Sequence, residues 1–559
     1  MFGTDVSVTN HAVVGAFDHE LVVQAAVIVA LAVVAMVITI ALAGRATPGE
    51  GVIADEPLAR RVVRIGFGVI WILDGLLQAQ SAMPLGMIPQ VVQPASSSSP
   101  MWVQHLVNVT AAMWNLHPVN VPASAVWIQI GLGVWLVGAH RGIWSRMAGW
   151  SSVAWGLVVW VFGEALGGLF APGLSWMTGA PGGVLFYCAA GVLVALPERA
   201  WESPRLGRTV LATMGGFFIA MAALQAWPGR GYWRGAGRHG AGTLVGVLRA
   251  AATTPQPSPL RSLVESFASL EGAHGWAVNL CTVLALGVVG VLLVRARPSW
   301  LRGTVMIGVA MCVTDWILVQ DMGFWGGVGT DPNSMIPIAL LLVTGYVAVV
   351  AAPATSSAVT ASVRRGGGRI RVRVSLATSL VAVAMLVVGL VPALASASDP
   401  RASALLARAA GTTVIAVDAP SPIATAIPTA SGPTVVTLSA TCRSDGLATL
   451  RAAERDVATQ GDVMKVILVT SCVGASDAPT SWRVERVAPT VLTRWRTAFQ
   501  NRTGVGAAAS RSNTVFYILA PDGQICDAVV MGASSVSAPL ISSNAVVLAG
   551  AVNDVARGA

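Results

Sequence analysis

The sequence predicts a polytopic α-helical membrane protein of about ten spanning helices, eight of them in two tandem four-helix repeats, with a small α/β domain at its C-terminal end. Three observations predict it. The 559 residues are 54% hydrophobic and 11% charged, with a mean hydropathy of +0.69, whereas a soluble domain carries about 25% charged residues. Apolar runs long enough for a bilayer alternate with arginine-bearing loops as far as residue 394. Beyond about residue 433 the composition turns globular, and β-branched runs alternate with amphipathic stretches.

A spanning helix needs about 20 mostly apolar residues. Ten stretches qualify: 21–43, 62–83, 121–139, 147–163, 181–196, 210–227, 276–294, 303–322, 335–350 and 374–394. Arginine orients them, because basic residues collect in cytoplasmic loops. One set of alternate loops carries Arg45, Arg60, Arg61 and Arg64, then Arg141 and Arg146, then Arg199, Arg205 and Arg208, then Arg295, Arg297 and Arg302, and finally "RRGGGRIRVR" at 364–373. The other set carries arginine only in segment 228–275. The N-terminal tail and everything after residue 395 are therefore expected outside. The formal charge of +9 is an orientation signal of this kind and does not point to nucleic acid. The N-terminal "MFGTDVSVTNHAVVGAFDHE" carries acids instead of a basic n-region, so the first run reads as a retained helix. The end of the tenth, "VGLVPALASASDP", has the small residues of a cleavage site, which leaves release of the outer domain open.

An internal repeat organises the middle of the chain. "RGIWSR" at 141–146 recurs as "RPSWLR" at 297–302, a shift of 156 that also maps Trp160 onto Trp316, Gly167 onto Gly323, Pro181 onto Pro337 and Pro197 onto Pro353. Upstream, at a slightly shorter offset, "LLQAQ" at 76–80 matches "ALQAW" at 223–227, and Arg61 matches Arg208. Helices two to five and six to nine are thus copies of one unit, and an even helix number gives both the same orientation. The expected divisions are 1–60 (outer tail, first helix and cytoplasmic loop), 61–197 and 205–353 (the two units), 354–396 (basic loop and last helix), 397–433 (linker) and 434–559 (outer domain). The layout of the unit, four apolar helices with arginine entering the first, resembles DoxX-like and MauE-like membrane proteins. That resemblance implies a membrane partner for sulfur or disulfide chemistry.

Polar side chains inside a bilayer are expensive, so each is a site candidate. Asp74 lies near the middle of the second helix and Asp315 well inside the eighth, while Glu164 and Asp321 sit near outer helix ends. Gln320 is the repeat mate of Glu164. With Gln78, Gln225, His117 and His274 these residues are expected to line an outward-facing pocket where the two units meet. Such a pocket suits a bound quinone or other small molecule, a proton path, or a metal held by His117, His274 and a carboxylate. The competing reading is hydrogen bonding between helices. Trp155, Trp160, Trp316 and Trp325 are expected in packing and interfacial belts. Segment 228–275 is expected as a flexible outer loop, and 101–116 and 260–272 as short surface helices.

In the outer domain, "TVVTLSA", "MKVILVTS" and "NTVFYIL" read as strands, "LATLRAAERDVATQ" and "VAPTVLTRWRTAFQ" as helices, and "PDGQ" as a hairpin turn into "ICDAVVMG". Strand, cysteine, helix, strand, helix, hairpin is an order that resembles the Sco and TlpA branch of the thioredoxin superfamily. The resemblance carries Cys442 onto the first active-site cysteine, but Asp445 or Gly446 stands where the second belongs. No histidine lies beyond His274, and Ser512 and Asn513 precede "TVFYIL", so neither the copper site nor the cis-proline of the family is present. The fold so implied sets the strand after the active-site helix beside the active-site strand, which brings Cys472 next to Cys442. A structural disulfide, a redox-active pair and unpaired thiols all remain open. Cys526 is then the odd thiol, and Cys188, Cys281 and Cys312 are packing residues.

Two functions fit. One is an accessory protein that displays a non-classical thioredoxin-like domain outside the membrane for redox, metal or respiratory-complex assembly, or for binding a protein partner there. A recognisable fold with a depleted site favours binding over turnover; any enzyme activity would be thiol-disulfide exchange. The other is a membrane carrier or a thiol/quinone electron relay with a small molecule near Asp74 and Asp315. No motif names a cofactor.

Overall fold

The computed structural model describes residues 11–43, 56–97, 99–171, 175–233, 244–325, 328–357, 367–397, 413–422, 433–439, 444–459, 464–471, 479, 481–503, 515–530, 548–549, 551–553 and 555. The chain is mostly helical with a small mixed sheet near its C-terminal end. Its helices are α1 (His11–Ala43), α2 (Leu58–Gln78), α3 (Met83–Met87), α4 (Gln93–Ser97), α5 (Met101–Leu116), α6 (Asn120–Gly138), α7 (Gly142–Phe162), α8 (Gly183–Ala195), α9 (Pro204–Ala226), α10 (Leu244–Thr253), α11 (Ser258–Arg295), α12 (Pro298–Leu318), α13 (Met335–Ser357), α14 (Gly367–Ala397), α15 (Ser444–Thr459) and α16 (Pro489–Thr503).

A helix stands at each of the ten expected places, and six among the described residues are long and apolar enough to cross a membrane: α1, α6, α9, α11, α12 and α14. Two of the four that fall short do so for plain physical reasons. α2 carries Arg60, Arg61, Arg64 and Asp74 within 21 residues, and α8 has 13 residues, about 20 Å of helix against a hydrocarbon layer of about 30 Å. Segment 228–275 is not simply a loop. It contains α10, and the expected short helix at 260–272 is the first part of α11, which continues past a kink at His274 (φ −131°, ψ 28°).

The chain forms two compact units. One comprises 13–83 and 119–394; the other joins the segment 84–118 to the region beyond 395. The connection after α2, read from sequence as part of the first membrane unit, therefore belongs with the C-terminal domain.

In the helical unit, close crossings depend on glycine. A Cβ on Gly133 of α6 would lie 2.5 Å from the Gly68 carbonyl oxygen and 2.5 Å from Ile72 Cγ1 of α2. A Cβ on Gly290 of α11 would lie 2.8 Å from the Gly215 carbonyl oxygen and 2.8 Å from Ile219 Cγ1 of α9. Gly68, Ile72, Gly215 and Ile219 occupy the positions that the repeat register pairs, so α2 on α6 and α9 on α11 use one packing device. Small residues that let backbones touch are the usual interface of helices in lipid, where burial of apolar surface supplies no attraction between helices.

At the start of α2, Glu56 accepts from Arg64 Nε at 2.9 Å and Nη2 at 2.8 Å, and from Arg60 Nη1 at 3.0 Å. Both guanidinium groups are buried and also donate to backbone carbonyls: Arg60 to His140 and Val194, Arg64 to Leu136 and Val137. These bonds tie α2 to α6 and α8.

The C-terminal sheet has strands β1 (Thr413–Pro420), β2 (Thr434–Ser439), β3 (Lys465–Thr470), β4 (Arg483–Arg486), β5 (Val515–Leu519) and β6 (Gln524–Val530) in the order β1-β6-β5-β2-β3-β4. β2, β3 and β4 are parallel; β5 and β6 are antiparallel to their neighbours. Alternation sends Val435, Val466, Phe516, Ile518 and Val529 to the face covered by α15, and Val436, Ile467, Val469, Tyr517 and Leu519 to the face covered by α16. Each expected strand forms, and β2 pairs with β3 from Thr434 opposite Lys465 to Ser439 opposite Thr470. Two strands lie outside expectation. β1 falls in the region read as linker, and β4 is a four-residue edge strand with exposed ends.

Candidate functional site

In the helical unit, Glu164 and Asp331, both half-buried, act on the buried Asp74. Asp74 is 3% exposed on α2, and its Oδ1 has no hydrogen-bond partner in the protein. The Tyr187 phenol of α8 faces this carboxyl, and Glu164 and Asp331 both act on the pair. Tyr187 is fixed from behind by Trp71, edge-on at 4.8 Å, and Phe67 at 5.5 Å. Trp71 is itself held by donating Nε1 to Ser152 Oγ at 2.9 Å.

Glu164 follows the last turn of α7. The chain reverses there through left-handed Ala165, Leu166, Gly167 and Gly168, which aims the carboxyl at the start of α8. Its Oε1 accepts from Val184 N–H at 3.1 Å, an unpaired donor of that helix's first turn. Its Oε2 is buried and unpartnered. Gly182, at φ 102°, leaves room: a Cβ there would collide with Glu164 Oε2. Burial, reinforced by the Asp331 charge, pushes the Glu164 carboxyl up to about 8.

Asp331 comes from the other half, in the connection between α12 and α13. Its Oδ1 accepts from Asn333 N–H at 2.7 Å and its Oδ2 from Thr330 Oγ1 at 2.7 Å. Burial raises it despite these bonds. The same connection meets the first half again where Gln80 Nε2 donates to Gly329 O at 3.1 Å.

The other sequence candidates are placed as follows. Gln78 is 3% exposed, with Oε1 unpartnered. Gln320 donates Nε2 to Ser334 Oγ at 3.1 Å, and its carbonyl accepts from Asn333 Nδ2 at 2.9 Å. Asp321 accepts from Gln256 Nε2 at 3.2 Å, and burial raises it to about 6. Asp315 is buried on α12 with Cys312 beside it and no acid of the group in its field. His117 caps α5 in the other compact unit, and His274 is exposed at the α11 kink. Among the described residues no three His, Cys, Asp or Glu side chains are set to hold a metal. Cys442 and Cys472 lie outside the described residues; Cys526 is half-buried on β6, and Cys281 is exposed.

A second polar group mirrors the first. Ser175 Oγ, in the connection between α7 and α8, donates to Gln225 Oε1 of α9. Gln225 is fully buried; its Nε2 donates to Asn279 Oδ1 of α11 at 2.8 Å and meets Met177 Sδ at 3.5 Å. Sequence reasoning missed Asp331, Tyr187, Ser175 and Asn279. A signal existed for two of them, because the shift of 156 that pairs Glu164 with Gln320 also pairs Ser175 with Asp331.

Compared with protein families, characterised proteins and solved structures, the chain shows no match. Its fold and site define a mostly helical protein with six helices among the described residues able to cross a membrane, a small C-terminal mixed sheet and an acidic group around the buried Asp74.

Proposed function

We propose that the protein is a multi-pass membrane carrier or relay whose two tandem four-helix units bind a small ligand, protons included, at the seam containing Asp74, Glu164 and Asp331. The carrying observation is that acids from both halves converge beside buried oxygen atoms with no protein partner. A helical anchor has no need of such a group, since buried acids cost stability unless their charge is matched or used. The matched glycine crossings support the tandem arrangement.

The accessory reading keeps one observation of its own. The sheet core β3-β2-β5-β6, with β2 and β3 parallel and a terminal hairpin, has the pairing a thioredoxin-like domain requires. The α5 segment belongs to the same compact unit as that domain, which suits a common extracytoplasmic side for both. The domain then recruits a protein partner to the carrier.

The test is proton movement into liposomes holding the full-length protein and a trapped pH indicator, driven by an imposed potential. Asp74→Asn is expected to abolish it with folding intact. Absence of movement in the unaltered protein, together with undiminished capture of an outer partner by Asp74→Asn, would leave the accessory function standing alone.

A further inference from the structure

The two polar groups described above are register mates. Asp74 pairs with Met221, Gln78 with Gln225, Glu164 with Gln320, and Asp331 with Ser175. Each group is completed by a connection from the opposite half: Asp331 crosses to the α2 side, and Ser175 crosses to the α9 side. Where they cross, the connections touch. A Cβ on Gly179 would lie 3.1 Å from Ser334 Oγ, and one on Gly183 3.3 Å from the Asn333 carbonyl carbon. The halves therefore exchange outer connections about a pseudo-twofold axis, and each exchange ends in a buried polar seam.

The two seams differ in chemistry. At the second, both polar atoms of the Gln225 amide are bonded, Gln320 Oε1 is buried without a partner, and every mate of an acid is non-ionisable. At the first, Asp74 Oδ1 and Gln78 Oε1 are buried on residues no more than 3% exposed, with the buried Tyr187 phenol set toward the Asp74 carboxyl. The titratable groups facing one another there are Asp74 on α2, Glu164 after α7, Tyr187 and Cys188 on α8, and Asp331 before α13. The field at the acids comes from acids, with no basic side chain contributing among the described residues.

We infer that the acidic seam is one proton-exchange centre shared by the two halves, and that its mate at Ser175, Gln225 and Gln320 has become a neutral fastener. The inference rests on the seam reading proposed above and names its ligand. The step is proton transfer alone: a proton from the aqueous side adds to a carboxylate oxygen and departs by the reverse route, with no electron moved. Three neighbouring carboxylates repel one another when ionised, so a proton bound at one favours the ionised state of the next. Because Asp331 belongs to the opposite half from Asp74 and Glu164, the charge state of the centre acts directly on the join between halves.

The test is an infrared titration of carboxylic acid carbonyl bands, using the full-length protein in lipid nanodiscs between pH 5 and pH 9.5. Glu164→Gln assigns the Glu164 band. Asp331→Asn is expected to lower its midpoint by about one pH unit, a roughly tenfold change in proton affinity, while Asp331→Glu keeps the midpoint high. Ser175→Ala, at the neutral seam, is expected to leave it in place. An unmoved midpoint in Asp331→Asn overturns the shared centre, and an equal shift in Ser175→Ala overturns the asymmetry. If Asp331→Asn does not fold, a midpoint in Asp331→Glu no higher than in an exposed glutamate overturns the coupling. Coupled titration without liposome proton movement would sink the carrier function but not the centre; proton movement with uncoupled titration would do the reverse.

Discussion

Gly290→Ala tests the close crossing of α11 on α9 inside the second half. The added methyl on α11 would stand 2.8 Å from the Gly215 carbonyl oxygen, 2.8 Å from Ile219 Cγ1 and 3.0 Å from Ile219 N of α9. Carbon contacts are comfortable at about 3.5–4.0 Å, and two of these three atoms are backbone, which cannot rotate aside. The helices must separate by roughly half an ångström or more, and overpacking of this kind costs about 1–3 kcal/mol. Alanine returns up to about 1 kcal/mol of helix propensity. Gly287, three residues earlier on the same helix, meets nothing within 4 Å, so Gly287→Ala keeps the propensity gain with no clash. The propensity gain cancels between the two variants, which should differ by the overpacking cost of about 1–3 kcal/mol, read as a lower Tm for Gly290→Ala. Thermal unfolding of the full chain in detergent, followed by tryptophan fluorescence, measures it. Gly290→Ala unfolding at or above the temperature of Gly287→Ala would refute the close crossing, and with it the matched packing of the two repeats.

Three further outcomes follow from named contacts. Glu164 sits at about 8 in the fold against an ordinary value of 4.5, so its stabilising contribution is complete below about pH 4.5 and is lost as pH rises through 8. The unfolding temperature should fall across that window, and Glu164→Gln, which keeps the acceptor for Val184 N–H, should flatten the fall. Glu56→Ala leaves the buried Arg60 and Arg64 without their carboxylate and should cost about 3–5 kcal/mol, read in the same thermal assay. Gly523 turns the β5–β6 hairpin at φ 83°, with its N–H donating to Ala520 O at 2.9 Å. Gly523→Ala should cost about 1–2 kcal/mol and raise hydrogen exchange in β5 and β6.

Much of the architecture is legible in the residues one by one. Apolar length places the helices, β-branched alternation places β2, β3, β5 and β6, and the "PDGQ" turn joins the last two, because local propensity and solvent preference act on each segment separately. β1 was hidden because "TVIAVDAP" lies among Pro-, Ser- and Thr-bearing segments and owes its strand state to pairing with β6, a partner more than 100 residues away. β4 was hidden because four residues with exposed ends carry almost no pattern.

The site divides in the same way. Burial cost by itself marks Asp74 and Glu164 as unusual, and the repeat register marks Gln320 as the mate of Glu164. What no single segment encodes is which acids meet. Asp315 was as conspicuous in sequence as Asp74, yet it stands apart, while Asp331, in the connection between α12 and α13 with no apolar context to expose it, joins Asp74 and Glu164. That choice is made by the crossing of the two outer connections, a matter of backbone path over the ends of packed helices. The sequence by itself determined the apolar helices and the strands of the small sheet; tertiary structure decided which acids share one field, because charges couple through space and not along the chain.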